Sequence, residues 1–140
     1  MSIWFRKPSL EEANQAYDTT IMGVLDIRIT EIGEDFITGT MPVDTRTHQP
    51  FGILHGGASV VLAETLGSFA ANYCVDTAKF YCVGLDINAN HLRSVRSGLV
   101  TGTARPVHVG KSTQVWEIRI VDENGKSACI SRLTMAVLAR

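Results

Sequence analysis

The sequence is poor in cysteine and lacks the cysteine spacings that hold disulfides or zinc. Its 140 residues include three cysteines, Cys74, Cys82 and Cys129, and no two of them form a C-x-x-C pair. An odd number of cysteines argues against a disulfide framework, and none lies close in sequence to any of the four histidines. We therefore expect buried, inert thiols and no metal site.

Long apolar runs and an excess of one charge are also missing. The longest apolar runs fall far short of the roughly 18 residues that a membrane span needs. Residues 1–14 contain no apolar signal-peptide core. Lys and Arg number 13 against 14 Asp and Glu, which leaves no basic footprint for nucleic acid. We expect one cytoplasmic domain over residues 1–140, without repeats, and no nucleic-acid or membrane partner.

Apolar and polar residues alternate over several segments, which is typical of strands. Leu25, Ile27 and Ile29 alternate with polar residues over 25–30, and the segment 36–43 is extended in character after a turn at 33–35. Four further strands are predicted, at residues 81–92, 99–107, 113–121 and 127–138. Short connections such as Asn124-Gly125, a strong hairpin signal, predict that the strands follow one another as an antiparallel meander.

Two segments are predicted to be helical. Ser9-Leu10-Glu11-Glu12 has the form of a capping box and predicts a short surface helix over residues 10–17. Residues 57–73 carry apolar side chains all round the helical wheel, which predicts one long buried helix. A curled antiparallel sheet of five to six strands wrapped round that helix would bury it. The expected fold class is therefore α+β.

A single carboxylate, that of Glu64, lies within the long apolar helix. It shares a helix face with residues that are small or apolar: Val60, Val61, Gly67, Ser68 and Ala71. An ionised Glu64 on such a face would lose hydration unless it met a hydrogen-bond donor. Gly67 and Ser68 leave room for a ligand, which favours a functional role. The alternative is an ordinary solvated or salt-bridged glutamate.

His55-Gly56-Gly57 stands where this helix should begin. The unpaired N–H groups of the first turn point outward there, at the positive end of the helix dipole. A glycine lets a substrate carbonyl approach the backbone, so the segment predicts an oxyanion-binding site. The alternative is that the glycines end the loop and that His55 makes a structural hydrogen bond.

Gly56 and Glu64 are too far apart to act together within one chain. Eight residues separate them, which is roughly 12 Å along a helix that rises about 1.5 Å per residue. If both act on one carbonyl, two copies must pack with their helices antiparallel about a two-fold axis, which creates two equal sites. We therefore expect a homodimer with its sites at the interface.

Three segments resemble the hotdog-fold thioesterases: Q-P-F-G-I-L-H-G-G-A-S-V-V-L-A-E at 49–64, V-G-L-D-I-N-A-N-H-L-R at 83–93 and S-R-L-T-M-A-V-L at 131–138. The resemblance covers nearly the whole chain. It is to the phenylacetate-pathway-like branch, in the subgroup that acts on 1,4-dihydroxy-2-naphthoyl-CoA and on mischarged aryl carrier proteins. It implies the hotdog fold and hydrolysis of acyl-CoA thioesters without a cofactor, since coenzyme A is part of the substrate.

The resemblance also implies roles for individual residues. Glu64 would be the nucleophile or the general base, and the Gly56 N–H the oxyanion donor. Gln49 and His55 would orient the thioester carbonyl, and Ser68 would help to hold the attacking water. This chemistry needs only a polarised carbonyl and a carboxylate aimed at it, because thiolate is a good leaving group.

The same resemblance suggests residues for the mouth of the coenzyme A site. Cations and hydroxyl groups suit the phosphates and the pantetheine arm. The candidates are His91, Arg93, Lys111, Ser112 and Thr113. The alternative for these residues is a solvated position at a strand end.

Two other functions stay open at this stage. An acyl-thioester dehydratase of the same fold also pairs a histidine with a helix carboxylate. Its histidine precedes a P-x-x-P-G-like loop, whereas His55 abuts the double glycine here, which favours the thioesterase. A non-catalytic acyl-CoA-binding module is the second alternative. The acyl group, the choice between CoA and a carrier protein, and the choice between dimer and the tetramer typical of this branch also stay open.

Overall fold

One long helix and a single sheet make up most of the structure, which a computed structural model describes over all residues 1–140. The helices are α1 (Leu10–Ala13), α2 (Ile21–Val24) and α3 (Gly56–Tyr73), and a 3-10 turn spans Tyr17–Thr19. No helix is both long and apolar enough to span a bilayer.

The N-terminal helix is capped as predicted but is shorter than predicted. Ser9 Oγ accepts the N–H of Glu12 at 3.1 Å. The helix ends at Ala13 rather than at residue 17, where the side chain of Asn14 donates to the Leu10 carbonyl at 2.9 Å and joins the helix end to the first strand. Its amide donates to the Ile29 carbonyl at 3.0 Å and its oxygen accepts the Ile29 N–H at 2.9 Å.

The sheet contains six antiparallel strands. They are β1 (Arg28–Ile32), β2 (Ile37–Pro42), β3 (Phe80–His91), β4 (Leu99–Val109), β5 (Thr113–Val121) and β6 (Ser127–Ala139). Their spatial order is β1-β2-β4-β5-β6-β3. The predicted meander is therefore wrong for β3, which lies at the far edge beside β6. Alternation specifies which face of a strand is buried but not which strand is its neighbour.

Two local predictions about the strands also need correction. β1 begins at Arg28 rather than at residue 25, because residues 21–24 form α2 and Asp26 takes a left-handed φ of 53°. In the hairpin between β5 and β6 only Gly125, with a φ of 77°, is left-handed. The turn is therefore not the type I′ turn that Asn-Gly favours, since that type requires a positive φ at both central residues.

The long helix packs across the concave side of the sheet. Its buried residues include Leu62, Leu66 and Ala70, which join Trp116 and Leu133 in the apolar core. The opposite side of α3 is only half-buried, so the prediction of burial on every side is not met within one chain. One sheet covers only one side of a helix, and the N-terminal segment around Met22 covers only part of the rest.

The edge strand β3 carries a β-bulge that changes which residues face the helix. Gly84 pairs with Met135 and Asp86 with Thr134, so Leu85 has no partner on β6. Side chains alternate along a strand. The extra residue therefore shifts the alternation by one position. Gly84 faces α3 before the bulge, and Ile87 faces α3 after it. The other edge of β3 has no neighbouring strand.

Candidate active site

His55 caps the N-terminus of α3. Its Nδ1 accepts the N–H of Gly57 at 2.8 Å, and its carbonyl accepts the N–H groups of Ala58 and Ser59 at 3.0 and 3.2 Å. An Nδ1 that accepts a hydrogen bond carries no hydrogen, so the neutral ring carries its hydrogen on Nε2. The structural role that was the alternative for His55 is thus present, and it leaves an outward-facing Nε2–H available as a donor.

These bonds leave one free amide at the start of the helix. The N–H groups of Gly57, Ala58 and Ser59 all have partners in or around His55, whereas the Gly56 N–H has none. The first amides of a helix have no acceptor within the helix itself, so a group from outside must satisfy Gly56. It is the amide for which the family resemblance implied the role of oxyanion donor.

The loop before the helix fixes the side chain of Gln49. The Gln49 side-chain oxygen accepts the N–H of Phe51 in a short hydrogen bond, and the backbone N–H of Gln49 donates to the Ile53 carbonyl at 2.9 Å. Since the side-chain oxygen is held inward by the turn, its NH₂ group is left to donate elsewhere. Phe51, in the same turn, is 83% exposed.

Gln49 and Gly56 lie in one pocket of about 340 Å³, which we call the amide pocket. His91 and Arg93 line the same pocket, as do Ser59 and Leu54. His91 lies directly against the helix start, since a Cβ built on Gly56 would be 2.7 Å from His91 Nε2. Four of the predicted site residues therefore meet here, Gln49, Gly56, His91 and Arg93, whereas His55 does not line the pocket.

Glu64 and Ser68 lie in a different pocket of about 390 Å³, which we call the carboxylate pocket. Its walls are mostly apolar, and the N-terminal segment forms one side of it: Thr20, Ile21 and Met22 face Val61 and Phe69 of α3. The Glu64 carboxylate is half-buried and makes no hydrogen bond or ion pair within 4.0 Å in the chain. It rests on the backbone of Gly84 in β3.

The residues suggested for coenzyme A do not form one group within a chain. His91 and Arg93 are beside the amide pocket, whereas Lys111, Ser112 and Thr113 belong to the β4–β5 hairpin and line neither pocket. His91 pairs with Cys129 of β6, and Thr113 pairs with Ala136 of the same strand, so the distance between the two groups can be counted along β6. Seven residues of strand correspond to about 23 Å.

Two contributors to the site were missed from the sequence. The sequence does contain a signal for Gly84, because a lone glycine within a strand pattern indicates a bulge or a close backbone approach. The wall formed by residues 20–22 had no detectable signal, since it depends on how the N-terminal segment packs against α3.

The cysteines are separate from both pockets. Burial raises the pKa of the Cys74 thiol to about 12, with a smaller contribution from nearby Cys82, and burial also raises the pKa of Cys82 and Cys129. These thiols are poor nucleophiles, since the thiolate is the reactive form. No three His, Cys, Asp or Glu side chains lie close enough together to hold a metal ion.

Comparisons with known proteins show the family of the chain. The sequence profile of the thioesterase superfamily matches residues 51–129. The chain is 54% identical to the 1,4-dihydroxy-2-naphthoyl-CoA hydrolase of Escherichia coli K12, over 97% of this chain and 99% of that protein. It is 49% identical to a proofreading thioesterase of Cronobacter turicensis, over 97% of this chain and 98% of that one.

Solved structures give the same result. A thioesterase variant from Pseudomonas aeruginosa superposes with a TM-score of 0.97 at 54% identity, over 99% of this chain and 100% of that one. A thioesterase from Haemophilus influenzae gives 0.94 at 51% identity, over 98% and 95%. The resemblance and the hotdog fold expected from the sequence are confirmed.

Proposed function

The chain belongs to the thioesterase superfamily, and from that premise we propose that it hydrolyses aroyl-CoA thioesters, such as 1,4-dihydroxy-2-naphthoyl-CoA or benzoyl-CoA, to a free acid and CoA. One observation carries the mechanism. The free amide of Gly56 and the unpaired carboxylate of Glu64 lie in separate pockets of the same chain. A two-fold dimer brings the amide pocket of one copy against the carboxylate pocket of the other.

The edge strand indicates how the two copies pair. An unpaired strand edge can bind an equivalent strand of a second copy. Glu64 rests on Gly84, and His91 contacts Gly56. In an antiparallel pairing that sets Gly84 opposite the partner's His91, Glu64 faces the partner's Gly56. Because Leu85 is unpaired, as it is opposite β6, this register places the two-fold axis at Asn88.

This pairing also reunites the suggested coenzyme A residues. Val83 is beside Ala136, which is beside Thr113. In the proposed register the partner's Leu92 and Arg93 lie beside Val83. Three strand spacings, about 14 Å, then separate them from the Lys111–Thr113 hairpin. Arg93 of one copy and Lys111 of the other then flank one mouth, where they bind the phosphates of CoA. An aryl carrier protein would present the same pantetheine arm there.

The reaction needs little beyond these groups. The Gly56 N–H, with the Gln49 amide and His55 Nε2–H, donates to the thioester oxygen and stabilises the charge that develops on it. Glu64 of the other copy attacks the thioester carbon, a C–O bond forms, and the C–S electron pair leaves as CoA thiolate. Water, held by Ser68, then splits the resulting mixed anhydride into the free acid and the Glu64 carboxylate.

The same residue could instead remove a proton from water that attacks directly. Single turnovers in H₂¹⁸O separate the two routes. The anhydride route lets water attack either carbonyl, so mass spectrometry of the Glu64 peptide finds ¹⁸O in the enzyme. Label in the Glu64 peptide identifies the nucleophilic route, because direct attack by water places ¹⁸O only in the acid product.

The carboxylate pocket supports an aromatic acyl group. Its volume of about 390 Å³ and its walls of Met22, Val61 and Phe69 suit a flat apolar ring. Thr20, Thr65 and Ser68 supply a few hydroxyl groups at the same site. A panel of aroyl-CoA and fatty acyl-CoA esters tests this choice. Faster turnover of the fatty acyl esters would contradict it.

We extend the proposal to a tetramer of two dimers joined through the outer face of the sheet. A polar cleft of about 340 Å³ lies there, lined by Asn88, Asn90, Glu117, Arg119, Ile130 and Arg132. The asparagine, glutamate and arginine side chains of this cleft can form hydrogen bonds with a second dimer. Light scattering on the purified protein measures the mass, and a mass of two chains would leave only the dimer.

Subunit mixing tests the shared site. Glu64→Ala and Gln49→Ala chains are each expected to lose hydrolysis by orders of magnitude, measured as CoA release with a thiol reagent. If sites are shared, half of the dimers after random exchange are mixed, and each has one intact site of two, so activity returns to about a quarter of wild type. No recovery despite demonstrated exchange contradicts the shared site. Turnover by Glu64→Ala alone contradicts the catalytic role.

A further inference from the structure

We infer that Gly84 is a positioning residue for Glu64, because its lack of a side chain leaves the space that the carboxylate occupies. The inference rests on the proposed role of Glu64. A Cβ built on Gly84 would overlap Glu64 Oε2, whereas the other nearest atom outside Glu64, Leu133 Cδ1, is at an ordinary 3.8 Å.

Space, rather than backbone conformation, requires glycine at this position. The glycines with a left-handed φ are Gly52, Gly98 and Gly125, so the backbone of Gly84 is one that alanine can adopt. The overlap is with one group only, the Glu64 carboxylate. A methyl group at position 84 would therefore displace that carboxylate and little else.

No other contact would hold the carboxylate in place against such a push. Glu64 forms no hydrogen bond and no ion pair in the chain, so steric contact with β3 sets the height of its carboxylate above the sheet. A shift of about 1 Å in a reacting group can cost 100-fold in rate. The bulge at Leu85 supports the arrangement, because it keeps Gly84 facing α3 while the strand continues to His91.

Gly102 of β4 provides a matched control. It is also a strand glycine beneath α3, and a Cβ there would come 2.8 Å from Leu66 Cδ1 and 3.5 Å from Leu62 Cδ2. These leucines, and Ile120 whose Cγ1 is also at 3.5 Å, are core residues that line neither pocket. Gly102→Ala thus introduces a similar crowding under the same helix without touching Glu64.

The experiment compares kcat and KM of the two alanine variants on benzoyl-CoA. Gly84→Ala is expected to lower kcat roughly tenfold or more and to leave KM within about twofold, since the CoA mouth is not touched. Gly102→Ala is expected to lower the melting temperature and to keep kcat. A kcat for Gly84→Ala equal to wild type overturns the inference, as does an equal loss of kcat in both variants.

A double variant distinguishes displacement of Glu64 from general damage. Glu64→Asp withdraws the carboxylate by one methylene and makes room for a methyl group at position 84. We expect the double variant to have a kcat within about twofold of that of Glu64→Asp alone, whereas Gly84→Ala lowers the kcat of the wild-type enzyme tenfold or more. The same loss in both backgrounds overturns the inference. Sedimentation of each variant checks that the oligomer is retained.

The two proposals fail separately. Should Glu64→Ala hydrolyse benzoyl-CoA at the wild-type rate, the proposed role of Glu64 falls, whatever Gly84 does. Should Glu64→Ala be inactive while Gly84→Ala is fully active, only the positioning role of Gly84 falls.

Discussion

Gly84 and His91 face the same side of β3 although seven residues separate them. In a regular strand an odd separation puts two residues on opposite faces. The bulge at Leu85 removes this conflict, since Gly84 lies under Glu64 and the His91 ring lies against Gly56, both on the side of the sheet that carries α3. The edge strand thus provides the floor of the carboxylate pocket at one end and a wall of the amide pocket at the other.

The proposed dimer axis predicts a specific cross-link. In the register that sets Gly84 opposite the partner's His91, the Asn88 residues of the two subunits lie directly opposite each other. Directly opposed strand residues have Cβ atoms about 5 Å apart, which suits a disulfide. Asn88→Cys is therefore expected to form a covalent dimer under mild oxidation, measured on non-reducing gels.

Asn90→Cys is the matched control for this cross-link. It faces the same polar cleft as Asn88. Position 90 lies two residues further from the axis than position 88. The two copies of residue 90 are therefore offset from each other by about 13 Å along the strands. Cross-linking at position 90 that equals or exceeds that at position 88 would contradict the proposed register.

The two roles of His55 can be separated by substitution. Asparagine is a good N-cap and can still accept the Gly57 N–H, whereas alanine cannot. His55→Ala is expected to lose about 1 kcal/mol of stability together with activity. His55→Asn is expected to keep the melting temperature and lose activity, because the Nε2–H donor is absent. Activity at the wild-type level in His55→Asn would reduce His55 to a structural cap.

The fold was largely predictable because its elements have strong periodic patterns. The predicted helix over 57–73 matches α3 (Gly56–Tyr73) to one residue, and the strand predicted over 113–121 matches β5 (Thr113–Val121). What failed was the neighbour of β3. A strand with this alternation fits beside β4 or β6 equally well, and only packing of the whole chain decides between them.

The candidate site was predictable where it lies within one element. Gly56 at the start of the helix and Glu64 two turns later follow from helical spacing alone. The contact between Glu64 and Gly84 could not be predicted, since it requires β3 to lie at the edge and the bulge to turn Gly84 inward. The division of Gly56 and Glu64 between two pockets agrees with the distance estimated from the sequence.

Phe69 is expected to set the preference for aromatic acyl groups. It lines the carboxylate pocket, and its ring is 6.3 Å from that of Tyr73 at a tilt of 46°. An aromatic contact contributes about 1 kcal/mol beyond its buried area, so Phe69→Ala should lower kcat/KM for benzoyl-CoA by roughly fivefold or more. A bicyclic naphthoyl ester refills part of the space and should lose less.

The control for Phe69 is Val115→Ala. Val115 lies on β5 between the buried residues Gln114 and Trp116 and so faces the outer side of the sheet, away from both pockets. It should leave kcat/KM for both esters unchanged. Equal losses for the two esters in Phe69→Ala would mean that the ring acts through stability rather than through the acyl group.

The native cysteines should not react during these assays. Burial raises the pKa of Cys74 to about 12 and shifts those of Cys82 and Cys129 in the same direction. A raised pKa means that the neutral thiol persists to higher pH, so at pH 8 the unreactive thiol form predominates. We expect the folded protein to keep its activity after iodoacetamide treatment at pH 8, and all three thiols to titrate only after unfolding. Inactivation that follows thiol labelling in the folded state would show that one of these cysteines is accessible and lies closer to the reaction than its burial indicates.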